Sequence, residues 1–114
     1  MAAPETLKPH WFYILLALSH GDRHGLAIAR DVESLSGGRI RLWPATLYGS
    51  LGDLRDRRWI EEINDPRERP PDESERRRIY RLTGPGRAAL AAEAEHLTRV
   101  ARIARARVRP GEAR

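Results

Sequence analysis

The side chains best equipped for chemistry in this sequence are four histidines (His10, His20, His24 and His96), Asp22 and the hydroxyls of Thr46, Tyr48 and Ser50. No two histidines share the compact spacing on one helix that would start a metal site, and firm sites need three or four placed ligands. No nucleophile–base pair, phosphate-cradling loop or carboxylate pair emerges either. We therefore expect neither an enzyme nor a cofactor. The hydroxyls are different, because they fall in "IRLWPATLYGSL", Ile40 to Leu51. On a helical wheel Leu51 and Leu54 lie within about 40° of Leu47 and form a seam to be buried. The opposite face is Ala45, Thr46, Gly49, Gly52, Asp53 and Asp56, with Tyr48 and Ser50 on the flanks. Two glycines on an exposed helix cost about 1 kcal/mol each relative to alanine, so so bare a surface asks for a purpose. One purpose is entry into the DNA major groove. Ala45 and the Thr46 methyl suit thymine methyls, Gly49 permits close approach, and the hydroxyls of Thr46, Tyr48 and Ser50 suit phosphates or bases. Asp53 and Asp56 confine that reading zone to Ala45 through Ser50.

The arginines point to the same kind of partner. Arg67, Arg69, Arg76 and Arg77 lie in or beside a segment rich in proline and charge, between two strand-like runs, and are candidates for DNA backbone or minor-groove contact. Arg39 and Arg41 are secondary phosphate candidates. Strand alternation groups Arg78 with Tyr80 and Leu82 and gives it a structural role. Net charge is weaker testimony. The 114 residues carry 21 basic and 16 acidic groups, for +5, and most of the excess follows residue 84. In the central segment Asp65, Glu68, Asp72, Glu73 and Glu75 nearly balance the arginines, so a simple solvated loop is the competing account.

The elements that must position these residues follow from local pattern. Pro9 opens a first helix carrying Trp11, Ile14, Leu15 and Leu18 at helical spacing. "HGDRHG" reads as a turn with Asp22 as N-cap of a second helix, whose apolar face is Ile28, Val32 and Leu35 and which "SGG" stops through glycines. "RIRL" (Arg39–Leu42) reads as a short strand. The third helix runs from about Pro44 to Arg58. "WIEEI" and "RRRIYRL" are two further strands, and Thr83 caps a last helix from about Pro85 to Arg107. The fold class is α+β, mostly α. It is a winged helix-turn-helix over residues 1–83 with a two-stranded wing, then a C-terminal dimerisation helix over 84–109 and a disordered tail at 110–114.

Leu90, Ala94, Leu97, Ala101, Ala104 and Val108 make a coiled-coil-like stripe on the last helix. Together with Trp11 and Leu15 of the first helix they are assigned to a homodimer interface. Trp11, Phe12 and Tyr13 are the candidates to line a pocket for a flat effector; plain core or dimer packing is the alternative. There are no cysteines, and "WFYILLAL" is far shorter than the roughly 20 residues that span a bilayer. A cytoplasmic protein without membrane contact is expected.

"HGLAIARDVESLSGGRIRLWPATLYGSLGDL", "WIEEI" and "RRRIYRLTGPGRAAL", followed by an Ala/Arg-rich helix, resemble a PadR-like transcriptional regulator of the short type, over residues 10 to about 107. The most specific pieces are "HG" before helix 2, "TLYGSL" and "YRLTGPG". The resemblance implies a homodimeric winged-helix protein that binds double-stranded DNA, usually as a repressor. It also implies dimerisation through the C-terminal helix and, in several relatives, release by a small aromatic or drug-like effector. The sequence departs from the family where helix 3 commonly ends in glycine, here Arg58, and at Trp43, where a small hydroxyl N-cap is frequent. A winged-helix module that docks a protein partner instead of DNA is the rival reading.

Overall fold

The computed structural model describes residues 7–63 and 78–108. The chain order is α1 (Pro9–Leu18), β1 (Arg23–His24), α2 (Gly25–Leu35), α3 (Pro44–Asp56), β2 (Ile60–Ile63), β3 (Ile79–Leu82) and α4 (Gly84–Arg107). Proline at the first turn starts α1, α3 and α4, where its missing N–H is no loss. Between α2 and α3, Gly37 and Gly38 take φ of 64° and 81° and end α2 as expected. The core is one cluster, with Ile14, Leu15, Ile28, Val32 and Leu54 all at 0% exposure. It forms because helical spacing brings one apolar row each from α1, α2 and α3 to a common centre.

The three strands form an antiparallel sheet in the order β1-β3-β2. Here the structure corrects the sequence reading. Arg39–Leu42 is no strand. It is an irregular connection anchored by Ser36, whose hydroxyl accepts from the Ile40 N–H at 2.9 Å and donates to the Glu33 carbonyl at 3.1 Å, and Leu42 within it is buried. The free edge of β3 is taken instead by Arg23 and His24, paired with Tyr80 and Ile79. Asp22 is consequently not the cap of α2. His24 Nδ1 accepts from the Ala27 N–H, and Asp22 meets Arg81 at 3.4 Å across the sheet. Leu35, expected in the core, is 47% exposed, although Val32 before it and Ser36 after it are buried.

Thr83 does cap α4: its hydroxyl accepts from the Gly86 N–H at 3.0 Å and donates to the Arg58 carbonyl at 2.7 Å. Only the first turns of α4 pack on the core, through Gly86, Ala89 and Leu90. Trp11 and Leu15 are at 2% and 0% exposure within their own chain, so they belong to its core and leave a partner subunit nothing to cover. Trp11 sits edge-on to Trp59 at 6.4 Å, with the Arg57 guanidinium 4.5 Å from its ring centre.

Arg58 stands at φ 61°, the left-handed region. The N–H of Arg58 bonds to the Arg55 carbonyl and that of Trp59 to the Leu54 carbonyl, the Schellman pattern that ordinarily uses glycine. A side chain there costs roughly 1–2 kcal/mol. Arg58→Gly is expected to raise unfolding stability by about 1 kcal/mol, after the extra entropy of the unfolded glycine is deducted. Urea denaturation should show this as a higher midpoint at unchanged slope; an unchanged or lower midpoint would contradict it.

Candidate nucleic-acid interface

Helix α3 packs by Leu47, Leu51 and Leu54, exposed at 2%, 1% and 0%, and turns Ala45, Thr46 and Gly49 outward. The seam follows from the three- and four-residue steps read in the sequence. Nothing lies within 4 Å of where a Cβ on Gly49 or Gly52 would sit, so packing within the chain does not require either glycine. At the start of the helix Trp43 occupies the N-cap position and makes no side-chain capping bond. The first-turn amides, which have no intrahelical acceptor, therefore face outward beside Ala45 and Thr46. Further along the same face Asp53 and Asp56 are exposed.

Two expected contact residues are placed differently. Ser50 is only 5% exposed, because it lies about 60° from Leu47 on the wheel and falls inside the buried sector. Tyr48 is half-buried with its hydroxyl closed off from solvent, resting on the start of α2: a Cβ on Gly25 would stand 3.0 Å from that oxygen. Neither hydroxyl is presented to a groove. Arg41 is exposed as expected, held by Glu33 at 2.8 Å and standing 5.9 Å from the Trp43 ring centre. Arg67, Arg69, Arg76 and Arg77 lie outside the described residues. Of the hairpin arginines that are described, Arg78 meets Glu62 at 3.4 Å, and Arg81 lies between Asp22 and Glu61 at 3.4 and 3.7 Å. These two tie the sheet together.

The expected effector residues are placed in two different environments. Trp11 is core, and Phe12 and Tyr13 are half-buried and packed edge-to-face at 5.7 Å. A shallow groove of about 360 Å³ lies elsewhere, between the start of α1 and α3, walled by His10, Ile40, Leu42 and Thr46 and rimmed by Arg39 and Arg41. Burial, and secondarily Lys8, lower the His10 pKa against an opposing pull from Asp53. Among the described residues no three His, Asp or Glu side chains converge to hold a metal ion. None of the helices described is long and apolar enough to cross a membrane.

On α4 the row beyond Leu90 is exposed among the described residues. Leu97, Val100 and Ile103 are 42%, 44% and 46% exposed, and Val108 is 69% exposed. Ala94 and Ala104 are exposed beside them, with Ala101 partly so.

Helix α2, the turn that follows it and an outward-facing α3, backed by an antiparallel hairpin, define the winged helix-turn-helix class. Residues 14–92 match the model of the transcriptional regulator PadR-like family. The chain belongs to that family, whose members are transcriptional regulators and not enzymes. The fold is shared with a transcriptional regulator from Clostridium thermocellum (TM-score 0.68, 21% identity, 86% of this chain and 91% of the other). It is shared as well with a PadR family transcription regulator from Clostridium difficile R20291 (TM-score 0.62, 21% identity, 82% and 93%). An uncharacterized 37.1 kDa protein in transposon TN4556 of Streptomyces fradiae is 37% identical over 87 residues, 76% of this chain. The match spans 22% of that relative's length.

Trp43 is the surface residue that the sequence reading did not place at the site. At 65% exposure it is more open than either of the other tryptophans. Its signal was the loss of a capping hydroxyl at the start of α3.

Proposed function

We propose that this regulator binds DNA sequence-specifically as a homodimer and represses transcription by occupying a pseudo-palindromic operator. One observation carries the reading: the N-terminal half of α3 buries its leucines completely and offers Ala45, Thr46 and Gly49 as a surface low enough to enter the major groove. Arg41 adds a phosphate contact at one side. Arg67, Arg69, Arg76 and Arg77 supply those of the wing, residues 59–82, on the backbone or minor groove. The uncovered row of Leu97, Ala101, Ala104 and Val108, with Val100 and Ile103, supports pairing of α4 with its counterpart in a second copy. Phe12 and Tyr13, partly open on α1, are where the reading seats a flat aromatic effector.

The test is binding to duplex DNA from the region beside its own gene, read by fluorescence anisotropy as salt is raised. Counterion release makes log affinity fall linearly with log salt. We expect such a fall, and two chains per duplex at saturation. A complex insensitive to salt, or no complex with DNA at all, would contradict the proposal and favour docking to a protein.

A further inference from the structure

We infer that Trp43 lays its indole against the sugar-phosphate backbone of bound duplex DNA, beside the phosphate that Arg41 meets. The inference rests on the DNA-binding reading above and adds to it a contact residue.

Trp43 breaks two local rules at once. It stands at an N-cap, where Ser, Thr, Asp or Asn would accept from the first-turn amides. Its indole has a donor and no acceptor, and the helix is left uncapped. It also leaves the largest side chain in the sequence 65% exposed, although 14 apolar residues of this small chain reach a common buried cluster. Packing does not explain the choice: among the described residues no aromatic ring stacks on it, and the group set against it is a cation, Arg41, at 5.9 Å. Neighbouring Arg39 is exposed as well. The resulting patch is a flat apolar plate with an N–H at its edge and, beside it, the guanidinium of Arg41, which Glu33 holds at 2.8 Å. A deoxyribose offers an apolar face to such a plate and the adjoining phosphate offers acceptors to the N–H and to the cation. Position agrees: Trp43 directly precedes the exposed Ala45 and Thr46, on the edge of the surface read as entering the groove. Protein partners lack that repeating pairing of an apolar ring with an anion, so the charge favours nucleic acid.

Acrylamide quenching of tryptophan emission tests this, because Trp11 is 2% exposed and Trp59 half-buried, whereas Trp43 is open. The probes are the duplex from beside the gene and a random-sequence duplex of equal length. In the free protein, emission should quench much more steeply than in Trp43→Phe; saturation with either duplex should bring the two slopes together. Trp43→Ala should weaken both duplexes equally, by about tenfold, as expected if some 50–60 Å² of apolar area leaves the interface. Its salt slope should match the wild type, because indole carries no charge, whereas Arg41→Ala should lower the slope by about one. If the wild type binds DNA, yet Trp43 stays quenchable in the complex and Trp43→Ala binds as tightly, the inference fails and the DNA reading stands. Loss confined to the gene-proximal duplex would overturn the backbone assignment in favour of a base contact. If the wild type binds neither duplex, both fall together. Because the side chain is exposed, Trp43→Ala should melt as the wild type does.

Discussion

Gly86→Ala is expected to destabilise the chain by about 3 kcal/mol or more, the upper range for forcing atoms into a filled site. A Cβ at this position would lie 1.9 Å from the Trp59 carbonyl oxygen, 2.8 Å from its carbon and 2.9 Å from Leu82 Cδ1. The Leu82 methyl could rotate away, but the Trp59 carbonyl could not. That carbonyl accepts from the Thr83 N–H at 3.1 Å, and the carbonyl before it, of Arg58, accepts from the Thr83 hydroxyl at 2.7 Å. Trp59 also leads directly into β2, whose first residue, Ile60, is 1% exposed. Relief therefore requires α4 to lift off the end of α3, opening the core at Leu82 and Leu90. In a domain of this size the loss corresponds to a melting temperature lower by about 10 °C or more. Gly84→Ala is the matched control. Nothing lies within 4 Å of a Cβ there, so it should be neutral or slightly stabilising. A Gly86→Ala chain that melts with the Gly84→Ala chain would show that the close approach of α4 to Trp59 is not as described.

Gly49→Glu should separate stability from DNA binding. The site is exposed and open, and glutamate has better helix propensity than glycine by roughly 0.5–1 kcal/mol, so the folded chain should be as stable as the wild type or more so. Placed in a major groove, however, the same side chain brings bulk to the closest approach of the helix and a carboxylate among phosphates. We expect at least a hundredfold loss of affinity, about 2.7 kcal/mol or more. No account in which α3 is merely a poor surface helix predicts better folding together with lost binding.

How much of this was legible in the sequence depended on how local each feature is. The leucine seam of α3, the glycines after α2 and the Thr83 cap are set by residues three or four apart, and each appears in the structure as read. The left-handed residue at Arg58 was visible as an arginine where a glycine was expected. Non-local features were misplaced. "RIRL" alternates like a strand, yet the partner strand β3 is claimed by Arg23 and His24, and only the tertiary arrangement decides between two candidate edges. The apolar run of α1 leaves open from sequence whether Trp11 and Leu15 face a partner or their own core. Trp59, Arg57 and the sheet cover that face within the chain. Ser50 and Tyr48 carry hydroxyls suited to DNA, but the wheel's flanks are where neighbouring elements decide burial: Tyr48 rests on the start of α2, and Ser50 falls inside the buried sector. Ala45, Thr46 and Gly49 lie off the seam and are exposed, as the wheel places them.

The central claim is that this outer face of α3 meets DNA. It is tested most directly by titrating a labelled duplex from beside the gene with wild-type and Gly49→Glu protein at about 50 and 200 mM salt, the range over which phosphate contacts are most clearly resolved. The melting temperature of each protein is measured on the same samples. The account predicts tight, salt-sensitive binding by the wild type, and binding reduced at least a hundredfold by a variant that melts no lower. Equal affinities for the two proteins would contradict it.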